Sequence, residues 1–149
     1  MFRCPACGAF NRVREPLPPG QPTCGRCHRA LELSGAPQDV DAEGLWRAVR
    51  ASPVPVLLDL WAPWCAPCRV AGPILDAVGR GQAGRWLVLK LDTEQHPQPS
   101  QQLGVRGIPT FILFSGGREV GRQSGVMQRP QLEAWVRSVL AGTQSGASA

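Results

Sequence analysis

The chain has 149 residues, 43% of them apolar and 18% charged, with six cysteines and a net charge of +5. Such a length fits one domain plus a small module, and the apolar share is enough for a packed core and excludes a wholly disordered chain. The longest apolar run, Val54 to Trp64, is broken by Pro55 and Asp59 and cannot span a membrane, and the Arg-rich charge reads as a solvated surface before it reads as a nucleic-acid footprint.

The first thirty-odd residues hold four of the six cysteines. Cys4 and Cys7 arrive before an apolar targeting segment could form, so no secretory signal is expected. The expectation is a cytoplasmic protein, where thiols stay reduced and cysteines serve as ligands or catalysts. Cys4-x2-Cys7-x16-Cys24-x2-Cys27 has the spacing of a four-thiolate zinc site. Pro5, Gly8 and Gly25 supply turns, while Phe10, Val13, Leu17, Leu31 and Leu33 are too few for a core of their own. A structural Zn²⁺ would therefore supply the folding energy. His28, beside Cys27, is an alternative ligand, and a second set of redox disulfides is the rival use of these thiols. Five arginines here would permit nucleic-acid binding, but Phe10 offers little for base stacking, so a nucleic-acid partner is not expected.

Ser34-Gly35-Ala36-Pro37 reads as a linker, dividing a zinc ribbon at 1–34 from a larger domain at 35–141. Asp39 or Asp41 can cap a helix carrying Leu45, Ala48 and Val49. Residues 54–61 form a buried strand. A helix follows Cys65, with Ala71, Ile74, Leu75 and Val78 on one face and Pro73 inside it. Trp86 to Leu91 is a second strand, and a short helix covers Pro97 to Leu103. Thr110 to Phe114 and Glu119 to Ser124 flank Ser115-Gly116-Gly117-Arg118 as a hairpin. Leu132, Trp135, Val136, Val139 and Leu140 stripe the last helix, and residues 142–149, small and polar, are expected to be a disordered tail. This order predicts an α/β domain, a mixed central sheet with helices on both faces.

Chemistry concentrates at Cys65-Ala66-Pro67-Cys68, directly after an apolar strand and at the start of a helix. Two thiols at this spacing can close a disulfide and reopen it. The unpaired N–H groups of a helix N-terminus favour thiolate at the first cysteine, and thiolate is the attacking species. Asp59, between Leu58 and Leu60, is costly to bury without a partner or a task.

The run Trp61-Ala62-Pro63-Trp64-Cys65-Ala66-Pro67-Cys68, with Asp59 before it and Pro73, Lys90, Gly107-Ile108-Pro109-Thr110 and Gly125 after it, resembles the thioredoxin family over about residues 38–141. Ala66 stands where that family usually has Gly. A zinc ribbon ahead of such a domain is similar to the zinc-containing bacterial thioredoxins, which extends the likeness over nearly the whole chain. The resemblance implies a protein-disulfide reductase working through a mixed disulfide, with Cys65 as nucleophile and Cys68 as resolving thiol. It implies that Asp59 serves Cys68 as base and that Lys90 modulates Asp59. Pro109 is expected to be cis, letting residue 108 offer its backbone to an extended substrate. Trp64, Gly107, Ile108, Gly125 and Val126 would form an apolar patch around Cys65, with Trp61 packed against the site. Oxidised proteins would be the substrates and an NADPH-dependent thioredoxin reductase the electron source, with no bound organic cofactor, no membrane partner and a monomeric chain. A zinc-dependent redox sensor or holdase, its ribbon opening on oxidation, is the alternative reading.

Overall fold

The computed structural model describes residues 1–14, 16 and 19–147, with side chains as far as 143. Leu17, expected in the ribbon's apolar set, and the last two residues of the expected tail lie outside the described residues.

The ribbon is built from two tight turns and little else. Strands β1 (Phe2–Arg3) and β2 (Phe10–Asn11) pair antiparallel, and a single bridge joins Thr23 to Ala30. Its buried set is Cys4, Cys24 and Leu31, with Cys7, Ala9, Val13, Cys27 and Leu33 packed around them. Sulfur is most of this core, as the poverty of apolar residues demands.

From Gln38 onward the elements are β3 (Gln38–Asp39), α1 (Ala42–Ala51), β4 (Val56–Trp61), α2 (Ala66–Gly81), β5 (Leu87–Asp92), α3 (Gln98–Leu103), β6 (Thr110–Ser115), β7 (Arg118–Ser124) and α4 (Arg129–Ala147). The sheet order is β3-β5-β4-β6-β7. β3 and β4 run parallel to β5, and β6 is antiparallel to β4 and β7. This is the mixed sheet with helices on both faces that the sequence predicts. β3 is the addition: two residues are too few to show an alternating pattern, and only pairing with β5 makes them a strand.

Both faces of β4 are covered, so its sequence is apolar almost throughout. Leu58 and Leu60 face α1, packing with Leu45, Ala48 and Val49 and with Leu89, Leu91 and Ile112. Leu57 faces α2 and α4, packing with Ala71, Leu75, Val78, Leu132 and Val136. Asp41, not Asp39, caps α1: its Oδ1 accepts the Gly44 N–H at 2.7 Å. Gly35 and Gly79 bring two backbones into direct contact, leaving no space for a Cβ on either, and Gly35 has φ +79°. The linker between ribbon and domain is thus seated on the C-terminal end of α2.

The last helix continues to Ala147, where a disordered tail was expected from residue 142. Small polar residues do not by themselves end a helix, and Thr143 donates its hydroxyl to the Val139 carbonyl at 3.0 Å, one turn back.

Candidate functional site: a helix-capping dithiol and a four-thiol cluster

β4 ends at Trp61, the chain turns through Ala62 to Trp64, and Cys65 becomes the N-cap of α2. Its Sγ accepts the Cys68 N–H at 3.2 Å. Cys65 and Cys68 are joined as a disulfide with Cα atoms 5.2 Å apart, and each is only 4% exposed. Ala62, Trp61 and Ile108 pack around the pair. A sulfur that caps a sixteen-residue helix receives one of its orphan N–H groups and the positive end of its dipole. Both features favour negative over neutral sulfur at a helix N-terminus.

The β6 approach supplies the facing wall. The Ile108–Pro109 bond is cis, and the Ile108 carbonyl oxygen lies 3.8 Å from Cys65 Sγ. Thr110, buried, donates its hydroxyl to the Gly107 carbonyl at 2.6 Å and ties that loop down. Gly125 donates its N–H to the Pro109 carbonyl at 2.9 Å, bringing the end of β7 to the same place. Trp64 is 63% exposed, and Val126 is also exposed. Ile108 and Gly125 are half-buried and Gly107 is exposed. Val70, exposed on α2, is a further apolar side chain; its helical spacing carried no signal because the neighbouring Ala71 fills the buried stripe.

Asp59 lies two residues before Trp61 on the face of β4 shared with Leu57, which is the face α2 covers. It is 1% exposed, and neither carboxylate oxygen has a hydrogen-bond partner. Burial pushes its pKa up to about 7, with the Lys90 ammonium pulling the other way. Asp59 and Lys90 are paired across β4 and β5, so their side chains leave the same face. Lys90 Nζ rests 4.7 Å from the Trp61 ring centroid. Trp61 also receives both the N–H and the hydroxyl of Thr93 on its carbonyl, at 2.8 and 3.0 Å. Holding Asp59 ionised in this setting costs about 4 kcal/mol. The neighbouring Leu57, Leu58 and Leu60, fully buried, contribute roughly 1.5–3 kcal/mol each. The strand can therefore carry the acid.

The second cluster is in the ribbon. The sulfurs of Cys4, Cys7, Cys24 and Cys27 all lie within 4.8 Å of one another, with Cys4 to Cys27 and Cys7 to Cys24 both at 3.6 Å. Four thiolates around one Zn²⁺ at about 2.3 Å stand about 3.8 Å apart, so the four residues fit that ion. The two turns are copies of each other. Cys4 N–H donates to Ala9 O and Gly8 N–H to Cys4 O; Cys24 N–H donates to Arg29 O and His28 N–H to Cys24 O. Gly8 and His28 occupy the same left-handed position, with φ +80° and +65°, so His28 closes its turn as Gly8 does and is outside the ligand group. Backbone N–H groups of Cys27 and then Arg26 pull the Cys24 thiol down to about 6. Asn11, which sequence pattern does not single out, links the turns: its side-chain oxygen accepts the Gly25 N–H at 2.9 Å and its amide donates to Cys24 Sγ at 3.5 Å.

The arrangement can do two things: exchange a disulfide at Cys65 and Cys68, and hold one soft cation on four thiolates. Comparisons with known proteins agree with the first. The family described as thioredoxin matches residues 38–138. Thioredoxin C-3 of Corynebacterium nephridii is 38% identical over 133 residues, covering 89% of this chain and 90% of its own. That match is longer than the stretch from residue 38 to the C-terminus, so the likeness extends into the ribbon. A thioredoxin of Synechocystis sp. is 37% identical over 108 residues, 72% of this chain and 100% of its own. One of Alicyclobacillus acidocaldarius is 43% identical over 86 residues, 58% of this chain and 82% of its own.

Proposed function

Because the chain belongs to the thioredoxin family, we propose that it is a cytoplasmic reductase of protein disulfides carrying one structural zinc in its ribbon. The observation that carries this reading is the placement of Cys65 as N-cap of α2, bonded to Cys68 and facing the Ile108 carbonyl. In the reduced protein the Cys65 thiolate attacks one sulfur of a substrate disulfide. A Cys65–substrate mixed disulfide forms and one substrate thiolate leaves. Cys68 then gives its proton to Asp59 and attacks Cys65 Sγ, which expels the second substrate thiolate. The substrate has gained two electrons and, from solvent and the site, two protons; the protein is left with the Cys65–Cys68 disulfide.

Asp59 suits the second step because its pKa of about 7 lets it accept and return a proton near neutrality. Lys90, beside it, lowers that value and sets how much of the carboxylate is ready. Trp64, Val126 and the backbone at Gly107, Ile108 and Gly125 receive an extended substrate segment, the apolar side chains giving affinity and the backbone giving register. The disulfide is reduced again by an NADPH-dependent thioredoxin reductase. Zinc, bound to Cys4, Cys7, Cys24 and Cys27, would supply folding energy to the ribbon with no open coordination position for chemistry. Residence in a reducing compartment follows from the need to keep four thiols free for the metal. Reduction of insulin disulfides with NADPH and a thioredoxin reductase tests the reading: turnover is expected, and its absence with correctly reduced Cys65 and Cys68 contradicts it.

A further inference from the structure

Arg3 stands immediately before the first thiol of the ribbon and is buried. A buried guanidinium needs partners to offset the loss of its hydration. It has one firm pair. Nη1 donates to Gln38 Oε1 at 2.7 Å, and Gln38 Nε2 donates back to the Arg3 carbonyl at 3.0 Å. This reciprocal bond joins β1 of the ribbon to β3, the edge strand of the domain. The guanidinium lies in a slot between the first cysteine turn and the start of α1: a Cβ on Gly8 would stand 3.6 Å from Nη2, and one on Gly44 would stand 3.7 Å from it.

The nearby acids are otherwise engaged. Asp41 caps α1 through the Gly44 N–H, and Glu43 pairs with Arg47 at 3.1 Å. No carboxylate lies within ion-pair distance of Arg3 among the described residues, and its Nε is buried without a partner. The slot is lined on one side by Ala6, Cys7 and Gly8 of the first cysteine turn and on the other by Asp41, Glu43, Gly44 and Arg47, so the guanidinium faces the thiol cluster as well as α1. Four thiolates and one Zn²⁺ carry a net charge of −2, and Arg3 offers a buried positive charge beside them.

We infer that Arg3 is a positioning residue for the metal site, its charge offsetting the thiolate cluster and its bond to Gln38 docking the loaded ribbon on the edge of the sheet. The inference rests on the zinc reading above. It makes metal affinity and ribbon docking depend on one side chain through two separable interactions, charge for the first and the Gln38 bond for the second.

The test uses the full chain, reduced and metal-free, titrated with Zn²⁺ against a chromophoric chelator, followed by amide exchange on the loaded protein. Arg3→Met is expected to bind Zn²⁺ about ten-fold more weakly, in the range seen when outer partners of metal ligands are lost. It should also speed exchange at the Val40 amide, which pairs β3 to β5 through Lys90 O. Arg3→Lys should recover most of the affinity without recovering the exchange protection. Gln38→Ala should keep the affinity and lose the protection. Unchanged affinity in Arg3→Met, or an equal loss in Arg3→Lys, would overturn the role of the charge. Unchanged Val40 exchange in both Arg3→Met and Gln38→Ala would overturn the docking role. A wild-type chain that binds no zinc would instead overturn the zinc reading itself.

Discussion

The same four-residue pattern, two cysteines separated by two residues, occurs three times in this chain and in two different surroundings. In the ribbon, each pair closes a turn with a left-handed residue at Gly8 or His28, and the two turns bring four sulfurs within 4.8 Å. In the domain, Cys65 and Cys68 are alone, and the chain runs from them into a sixteen-residue helix rather than a turn. A second pair nearby makes a cage for a cation. A helix behind a single pair favours thiolate at its first cysteine. The cores of the two regions differ as well. The domain buries leucine, valine and phenylalanine on both sheet faces, whereas the ribbon buries chiefly sulfur.

The sharpest way to break this contrast is at Cys65. Cys65→Ser is expected to remove disulfide reduction down to background, because no other sulfur caps α2. Cys68→Ser should still attack and should accumulate mixed disulfides with substrate, visible as intact adducts by mass spectrometry. Normal turnover in Cys65→Ser would mean that the ribbon thiols perform the exchange.

Chelation of zinc probes the other half. Amide protection in residues 1–34 should collapse toward that of an unfolded segment, while β4, β5 and β6 remain protected. Equal protection of the ribbon with and without zinc would show that its few apolar residues suffice to fold it.

Asp59 connects redox chemistry to stability. Its carboxyl has a pKa of 3.8 when unperturbed and about 7 in the fold, so the folded state holds the extra proton between these values. Stability therefore falls as pH rises through that window and is level above it. Asp59→Asn should remove the slope and stabilise the oxidised protein at pH 8 by at most about 4 kcal/mol. It should also slow resolution of the mixed disulfide. Urea unfolding across pH checks the first effect and single-turnover kinetics the second; an unchanged slope would mean that Asp59 ionises freely in the fold.

The smallest effect is expected at the docking surface. Trp64→Ala should raise KM for a protein disulfide by about ten-fold, equivalent to about 1.4 kcal/mol, and leave kcat for a small disulfide unchanged. Equal KM values would remove Trp64 from substrate binding.

Most of this architecture is legible in the chain because its signals are local. Apolar runs mark β4, β5 and β6, the i, i+3, i+4 stripe marks α2, and the cysteine spacings mark both sites. Asp59 is legible by contradiction, an acid in a strand with no polar face. The features that are not legible depend on tertiary pairing. β3 is two residues long and exists because Lys90 and Leu89 stand beside it. Asn11 and Arg3 look like ordinary loop residues until the second cysteine turn and Gln38 are brought against them. The end of α4 is obscured by composition, since Gly, Ser and Thr suggest a loop whether or not a helix precedes them.

One pair of thiols is expected to cycle while the other four stay with the metal. Differential alkylation and mass spectrometry of the zinc-loaded protein during insulin reduction measures this directly. Only Cys65 and Cys68 should alternate between labelled and protected forms, with Cys4, Cys7, Cys24 and Cys27 protected and one zinc per chain retained throughout. Labelling of the ribbon cysteines in step with turnover, or zinc lost stoichiometrically as substrate is reduced, would contradict it.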